Sequence, residues 1–374
     1  MQVQRRMIFL LLLHTALTCA TFLIHTFFMT DLSQFDPNKV SNLKNNIFGL
    51  PFGEDEARLV ILPVPWEVTV SAAAGTARAP EHIYKCSKQV DLFDADVPDG
   101  WKKGFYMREQ DKKILLKSDY LRKEAELYID YISQGEAVEK NSFMCKSLKE
   151  INAGGVMLNN WVYEHTKELL DKGKLVGLLG GDHSTPLGYF KAIAERYESF
   201  GVLQIDAHCD LRKAYEGFTY SHASVMYNAL TEIPQLTNLV QVGIRDYCQE
   251  EWDYIRNSNY RVTTYFDRDL KERQYEGQQW KQIADEIVSR LPENVFISFD
   301  IDGLDPKLCP NTGTPVQGGL ESEQVFYLIK RMLQAGKKFI GFDLNEVGVG
   351  ENDWDANVGA HILWRLCNLL VAAN

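Results

Sequence analysis

"GVLQIDAHCDLR" (residues 201–212) contains an apolar run of strand length that ends in three polar side chains. Asp206, His208 and Asp210 occupy every second position. Residues two apart on an extended chain point the same way, so these three side chains converge while Cys209 faces away into the packing. Such groups packed together at a strand end are costly without a cation between them. A lone Asp or His would instead be an ordinary solvated strand end, so matching ligands elsewhere decide between the two interpretations.

Two further segments show the same arrangement of an apolar run followed by polar side chains. "NVFISFDIDGLDP" (294–306) is an apolar run followed by Asp300 and Asp302, with a turn signalled by the next Gly and Pro. "KLVGLLGGDHSTPLGYF" (174–190) is a third run, which ends in a glycine pair followed by Asp and His. Three strand ends therefore carry six candidate metal ligands: His183, Asp206, His208, Asp210, Asp300 and Asp302.

The residue types of this set indicate the kind of metal. Four carboxylates and two imidazoles suit two borderline-to-hard divalent cations, such as Mn²⁺, and suit a thiolate-preferring metal poorly. Carboxylates that bridge two such ions hold them roughly 3.5–4 Å apart. The sequence therefore predicts two Mn²⁺ ions as cofactors, with Ni²⁺ compatible with the same oxygen and nitrogen ligands.

The rest of the chain alternates between strand-like and helical patterns. Apolar runs lie at 58–64, 174–179, 201–205, 239–243, 260–265, 294–299 and 338–343. Helical spacing of apolar residues lies at 121–132, 158–169, 280–291, 322–335 and 357–371. This alternation predicts an α/β fold with a mostly parallel central sheet covered on both faces. Such sheets place their sites at the carboxyl ends of strands, where the candidate ligands lie.

"GGDHS", "DAHCD", "SHAS" and "SFDIDGLDP" resemble, in this order, the signature segments of the ureohydrolases, the arginase and agmatinase family. The resemblance runs from about Leu59 to the C terminus and is weakest between 85 and 155. It implies an arginase-like, three-layer αβα fold and an agmatinase-like hydrolase of a guanidino compound, which yields urea and an amine. It also implies a binuclear manganese centre and a homo-oligomer, either a trimer or a hexamer.

The resemblance also implies roles for individual residues. One manganese is expected on His183, Asp206, Asp210 and Asp300, and the other on His208, Asp206, Asp300 and Asp302, with Asp206 and Asp300 bridging. Asp210 is further expected to orient the attacking hydroxide and to return a proton to the leaving amine. His222, in "YSHASVM", matches a histidine that shuttles protons, and Glu346, in "GFDLNEVG", matches a carboxylate that grips the guanidinium. Either residue alone would be an ordinary solvated side chain, but both fall in register with the motifs.

Two departures from the family pattern leave the substrate open. Residues 223–225 read Ala-Ser-Val where agmatinase-like members have Gly-Thr-Pro, and 347–348 read Val-Gly where a small or polar residue and Pro are usual. Both loops line the substrate pocket in the family. Free guanidine, a guanidino acid or formiminoglutamate are therefore alternatives to an agmatine-like substrate. Formiminoglutamate would need a well-placed arginine, for which the candidates are Arg78, Arg212 and Arg245.

Composition narrows the class of partner. The formal net charge of −11 and the absence of a basic run argue against a nucleic-acid partner and favour a small cationic substrate. Seven scattered cysteines without a CxxC pair are typical of a reducing compartment, so a cytoplasmic location is expected. A zinc deacetylase would be expected to show a His-His pair, which this chain lacks, and a non-catalytic relative would be expected to have lost ligands.

Two segments in the first half of the chain have less regular sequence patterns. Residues 1–28 place two arginines before an apolar stretch, which we interpret as an extension upstream of the true start at Met29; a signal or anchor segment is the alternative. Residues 29–374 are expected to form one ureohydrolase-like domain. Its segment at about 85–155 is expected to be a helical elaboration that shapes the pocket, contacts another subunit or is merely peripheral.

Overall fold

A sheet of eight parallel strands forms the centre of the protein, whose computed structural model describes residues 32–374. Within that range the strands are β1 (Leu59–Pro63), β2 (Phe105–Met107), β3 (Leu175–Leu179), β4 (Phe200–Ile205), β5 (Leu236–Ile244), β6 (Val262–Phe266), β7 (Asn294–Asp300) and β8 (Lys338–Asn345). Their spatial order is β2-β1-β3-β8-β7-β4-β5-β6. The interpretations of residues 1–28 lie outside the described residues.

Ten α-helices accompany the sheet in the described part of the chain. They are α1 (Ala79–Cys86), α2 (Lys112–Ser133), α3 (Ser142–Asp171), α4 (Leu187–Ala194), α5 (Val225–Glu232), α6 (Gln249–Asn257), α7 (Asp267–Tyr275), α8 (Trp280–Ser289), α9 (Ser322–Gln334) and α10 (Trp354–Ala372). Helices α2 to α5 contact one another in one group, and α1, α8, α9 and α10 in a second. The predicted three-layer α/β fold is confirmed.

The inner strands of the sheet are buried along almost their whole length because helices cover both faces of the sheet. All five residues of β1 and all six of β4 are buried, which explains why the apolar runs show no alternation. Helix α8 shows the matching amphipathic pattern, since Ile283 and Ile287 are fully buried on one side. The seven predicted strands and five predicted helices are all present, with ends shifted by a few residues except at the beginnings of α2 and α3.

The segment 85–155 contains a strand that the sequence pattern did not reveal. Strand β2 pairs in parallel with β1, with Leu59 opposite Phe105, and forms one edge of the sheet. The side chain of Asn46 closes this edge: its Oδ1 accepts a hydrogen bond from Met107 N at 2.7 Å and its Nδ2 donates one to Met107 O at 3.2 Å. The side chain thus occupies backbone groups that another chain would otherwise pair with.

Helix α3 begins much earlier than the pattern at 158–169 predicted, and it passes through Gly154 and Gly155. Both glycines are needed for close packing. A Cβ at Gly154 would lie 2.2 Å from Leu121 of α2, and one at Gly155 would lie 2.8 Å from Tyr220. Close contact with these neighbours therefore offsets the low helix propensity of the glycine pair.

None of the helices described between residues 32 and 374 has both the length and the hydropathy that a membrane-spanning segment requires.

Candidate metal centre

Four neighbouring strands deliver the candidate site residues to one edge of the sheet. Strands β3, β8, β7 and β4 are adjacent and parallel, so their carboxyl ends meet. His183 follows β3, Glu346 follows β8, Asp300 ends β7, and Asp206 follows β4. The crossovers of the fold thus bring together segments that are far apart in the chain.

The first ligand group surrounds the imidazole of His183. Its Nδ1 lies 3.0 Å from Asp206 Oδ2, 2.9 Å from Asp210 Oδ2 and 3.2 Å from Asp300 Oδ2, and all four residues are buried. Yet His183 Nδ1 and Asp210 Oδ2 have no hydrogen-bond partner among the described residues. A ring nitrogen and three carboxylate oxygens that converge without hydrogen-bond geometry are a donor set for a cation.

The second ligand group consists of Asp206, His208 and Asp302, whose ligand atoms lie within 4.8 Å of one another. His208 Nδ1 is 3.0 Å from Asp302 Oδ2 and 3.6 Å from Asp206 Oδ1. Asp206 belongs to both groups, as expected of a bridging ligand. Asp300 belongs to the first group, and its role as a second bridge stays a prediction.

Backbone amides orient three of the four ligand carboxylates, those of Asp206, Asp300 and Asp302. The amide of His208 donates to Asp206 Oδ1 at 2.6 Å, and the amide of Asp302 donates to Asp300 Oδ1 at 2.8 Å. The amide of Ala207 donates to Asp302 Oδ1 at 3.0 Å. The other oxygen, Oδ2, faces His183 in Asp206 and Asp300 and faces His208 in Asp302.

The charges of this cluster are unbalanced without a cation. Burial, reinforced by Asp206, raises the pKa of Asp210 to about 7, and burial with Asp302 and Asp206 raises the pKa of Asp300 well above its usual range. Although burial opposes it, the three carboxylates raise the pKa of His183. Divalent cations remove this conflict, because each is attracted to the carboxylates that repel one another. The residues present therefore fit two divalent cations.

Ser298 fixes which nitrogen of His183 is free to bind a cation. Its hydroxyl donates to Asp343 Oδ1 at 3.0 Å, and its oxygen lies 2.9 Å from His183 Nε2. Since the hydroxyl proton points to Asp343, the oxygen accepts the proton of Nε2. Nδ1 is then left with its lone pair toward the carboxylates, as in ligands oriented by a second layer of hydrogen bonds.

Asp206 is supported by a comparable chain across the sheet. Gln204 Nε2 donates to Asp206 Oδ2, Gln241 Nε2 donates to Gln204 Oε1, and Thr264 Oγ1 donates to Gln241 Oε1, each at 2.7 Å. These supporting residues were not among the predicted site residues. The signal was a polar residue in an apolar run, two positions before a ligand and hence on the same face: Gln204 before Asp206, and Ser298 before Asp300.

Glu346 lies beside the first ligand group. Its Oε1 accepts the amide hydrogen of His183 at 2.9 Å, and its Oε2 has no partner among the described residues. The backbone has φ 60°, as Asp210 has φ 54°, and such strain is concentrated at functional sites. Burial, and then the charge of Asp182, raises the pKa of the Glu346 carboxyl well above its usual range. The positive charge of a bound guanidinium would lower the pKa of this carboxyl again.

His222 belongs to neither ligand group described in residues 32–374. Its amide donates to Thr69 Oγ1 at 3.1 Å, and its Nδ1 lies 3.4 Å from the hydroxyls of Thr69 and Ser221. Burial lowers the pKa of His222 to about 3, so the ring is neutral at neutral pH. A neutral imidazole beside the metal ligands can accept a proton.

A pocket of about 360 Å³ leads to these groups. Its walls include His208, Asp210, Arg212, Tyr215, His222, Asp246, Tyr247, Glu251 and Gly313. Glu346 lies directly behind the wall at Gly313, where an added Cβ would be 3.0 Å from Oε2 of Glu346. The glycine therefore keeps the approach to that carboxylate open.

The three candidate arginines have different surroundings. Arg245 donates to the carbonyl oxygen of Asp302 at 2.6 Å and so braces the loop after β7. Arg78 makes two hydrogen bonds of 2.8 Å to the carboxylate of Asp119. Of the three, Arg212 alone lines the pocket.

Comparison with known proteins agrees with this geometry. A family model described as "Arginase family" matches residues 57–367. The N(1)-aminopropylagmatine ureohydrolase of Thermus thermophilus is 32% identical over 304 residues, which cover 80% of this chain and 87% of the relative. The agmatinase of Halalkalibacterium halodurans is 30% identical over 225 residues, or 56% of this chain and 72% of the relative. The crystal structure of agmatine ureohydrolase of Thermoplasma volcanium matches with a TM-score of 0.65 at 23% identity, covering 87% of this chain and 94% of that chain, which shows a shared fold.

Proposed function

The chain belongs to the arginase family, and from that premise we propose that it hydrolyses a small guanidinoamine to urea and a diamine. As an agmatinase-like ureohydrolase it is a hydrolase of C–N bonds in linear amidines. One guanidinium and one water give urea and one protonated amine, so atoms and charge balance. The observation that carries the proposal is the pair of ligand groups that share Asp206.

The family depends on two metal ions, which we assign as Mn²⁺, with Ni²⁺ as the alternative. Oxygen and neutral imidazole ligands support this choice. The proposed ligands are His183, Asp206, Asp210 and Asp300 for one ion and His208, Asp206, Asp300 and Asp302 for the other. When bound, such ions lower the pKa of water and stabilise negative charge that develops on the substrate.

The side chains around the metals have separate proposed tasks. Asp210 orients the attacking water and then returns a proton to the leaving amine. Glu346 accepts hydrogen bonds from the guanidinium through its unpartnered Oε2 and holds the central carbon in line. His222, which lines the pocket and lies outside the ligand groups, moves protons between the pocket and the solvent.

The charge of the pocket favours a guanidinoamine over a guanidino acid. Arg212 is already paired with Glu251, with Nε 3.3 Å from Oε2, and lies over the ring of Tyr215. Asp246 is exposed on the pocket wall, and no cation among residues 32–374 pairs with it. A carboxylate without a counter-cation attracts a terminal ammonium and repels a terminal carboxylate. The names of the two similar relatives, aminopropylagmatine ureohydrolase and agmatinase, indicate substrates with a terminal amine.

We further propose a homo-oligomer in the cytoplasm. The oligomer, a trimer or hexamer, is supported by family resemblance alone. The location is supported by the six cysteines of the described residues, all of which are free thiols, as expected in a reducing compartment.

A substrate panel tests the proposed function. Urea and the second product are measured with Mn²⁺-loaded protein on agmatine, aminopropylagmatine, 4-guanidinobutyrate, arginine, formiminoglutamate (with formamide measured instead) and free guanidine. We expect the highest kcat/KM on a guanidinoamine, and Asp246→Asn should lower that value about tenfold while leaving turnover of guanidine unchanged. A preference for guanidinobutyrate or guanidine would overturn the substrate class. Failure to cleave any compound would overturn the function.

A further inference from the structure

We propose that helices α2 and α3 fix the position of His222, and that Arg122 and Asn152 are the positioning residues. The inference rests on the proposed function, because it assigns a task to the segment 85–155 within that reaction. His222 lies between two loops, and each loop is tied to one of these helices.

Arg122 of α2 holds the loop that follows β1. Its Nη1 donates to the carbonyl oxygen of Val68 at 3.3 Å and to that of Val70. Between these two carbonyls lies Thr69, whose hydroxyl oxygen accepts the amide hydrogen of His222 at 3.1 Å. The guanidinium therefore fixes the backbone on both sides of the residue that holds His222.

Two neighbours of Arg122 on the same helix hold the same loop. The buried hydroxyl of Ser118 accepts a hydrogen bond from the amide of Glu67 at 3.0 Å. Asp119 binds Arg78 with two hydrogen bonds of 2.8 Å. One face of α2 is thus attached to the loop at three places.

Asn152 of α3 holds the other loop, which precedes His222. Its Oδ1 accepts from the amide of Thr219 at 2.8 Å, and its Nδ2 donates to the carbonyl of Gly217 at 3.2 Å. Next to it, Phe218 packs on Tyr128 with ring centroids 5.3 Å apart. The close approach of Tyr220 to Gly155 continues the same contact.

The two attachments act on one side chain that does not bind the metals. Proton-transfer groups need accurate placement, because errors of about 1 Å can cost a hundredfold in rate. Loosening either loop should therefore lower kcat while leaving KM and metal content unchanged. A merely structural role of the helices would lower stability and metal content together.

The chain offers a matched control for Arg122. Its Nε also pairs with Glu126 at 3.0 Å, and Glu126 is exposed and one helical turn further along α2. Glu126→Gln removes that ion pair without removing the contacts to Val68 and Val70. Arg122→Lys keeps the positive charge and one carbonyl contact, so it should retain part of the rate that Arg122→Gln loses.

The test combines kinetics with hydrogen exchange. On the best guanidino substrate, Arg122→Gln and Asn152→Ala should each lower kcat about tenfold with two metals retained, and neither should lower it further when His222 is already Ala. Amide exchange should become faster at 66–76 in Arg122→Gln and at 215–222 in Asn152→Ala. Glu126→Gln should change neither kcat nor exchange.

The positioning role would be overturned by an unchanged kcat or by loss of metal. It would also be overturned if either substitution lowered kcat by the same factor in the His222→Ala background as in the wild-type protein. If the wild-type protein released no urea, the proposed function would fail instead. The exchange data would then still decide whether the helices fix the two loops, and unchanged exchange in both variants would refute that as well.

Discussion

Asp206 contributes an oxygen to each of the two ligand groups. Asp206→Asn removes the negative charge that both groups share and replaces Oδ2, which faces His183, but it keeps Oδ1 as the acceptor for the amide of His208. We expect metal content after dialysis to fall below two ions per chain and kcat/KM to fall at least about a hundredfold. Elemental analysis and urea release measure these effects. Asp246→Asn is the control for metal content, since it removes a pocket carboxylate outside both groups and should keep two metals. Two retained metals with full turnover in Asp206→Asn would refute the bridging role.

Glu346 tests recognition of the guanidinium independently of the metals. Glu346→Gln keeps the shape but turns one acceptor into a donor that faces the N–H groups of the substrate. We expect two bound metals and a fall in kcat/KM of roughly a hundredfold, which corresponds to about 3 kcal/mol for a charged hydrogen bond. Near-normal turnover in this variant would mean that another group binds the guanidinium.

Individual site residues differ in how visible they are in the sequence. His183, Asp206 and Asp300 stand at the ends of apolar runs, so strand geometry alone places them at one edge of the sheet. The positive φ of Asp210 and Glu346 has no sequence signal, because neither residue is glycine. Such conformations depend on tertiary contacts; for example, the amide of Glu346 donates to the carbonyl of Gly181 at 2.8 Å.

Strand β7 carries the ligand Asp300 and, two positions before it, Ser298, which orients the ligand His183. Ser298→Ala removes the acceptor of the His183 Nε2 proton, so the imidazole is no longer fixed with Nδ1 free. We expect metal affinity to fall about 10- to 100-fold, as for other hydrogen-bonding partners of metal ligands. Competition with a metal-binding dye measures it. Ser147→Ala on α3 removes an equally buried hydroxyl away from the site and should leave the affinity unchanged; equal affinities in both variants would contradict the role of Ser298.

Physical reasons explain why the sequence pattern did not predict strand β2 or the first half of helix α3. Strand β2 has three residues and lies in a charged segment, so it has too few positions to show a period. Helix α3 contains a glycine pair that local propensity disfavours and that packing requires.

Packing also accounts for residues 347–348, where the sequence departs from the family pattern. Val347 is buried, and a Cβ at Gly348 would lie 1.9 Å from the carbonyl oxygen of Asn311. The substituted loop is therefore packed against a neighbouring segment and is not redirected into the pocket.

Over the whole molecule, the buried carboxylates link metal binding to folding. Removing the metals leaves like charges in contact at the carboxyl edge of the sheet, which destabilises the folded state. Mn²⁺ at a hundred times the dissociation constant of a site should add about 2.7 kcal/mol per bound ion to the free energy of unfolding, or roughly 3 °C in Tm per ion. Thermal unfolding with chelator and after reloading measures this, with Asp206→Asn expected to respond less. Equal Tm values with and without Mn²⁺ would contradict the link.

The measurement that tests the binuclear assignment most directly is a titration of chelated, metal-free protein with Mn²⁺, followed by the initial rate of urea release from agmatine. Because Asp206 joins both ligand groups, we expect negligible release without metal and a rate that rises until about two equivalents per chain are bound. Full urea release by the metal-free protein, or a rate that saturates at one equivalent, would contradict a binuclear centre in this chain.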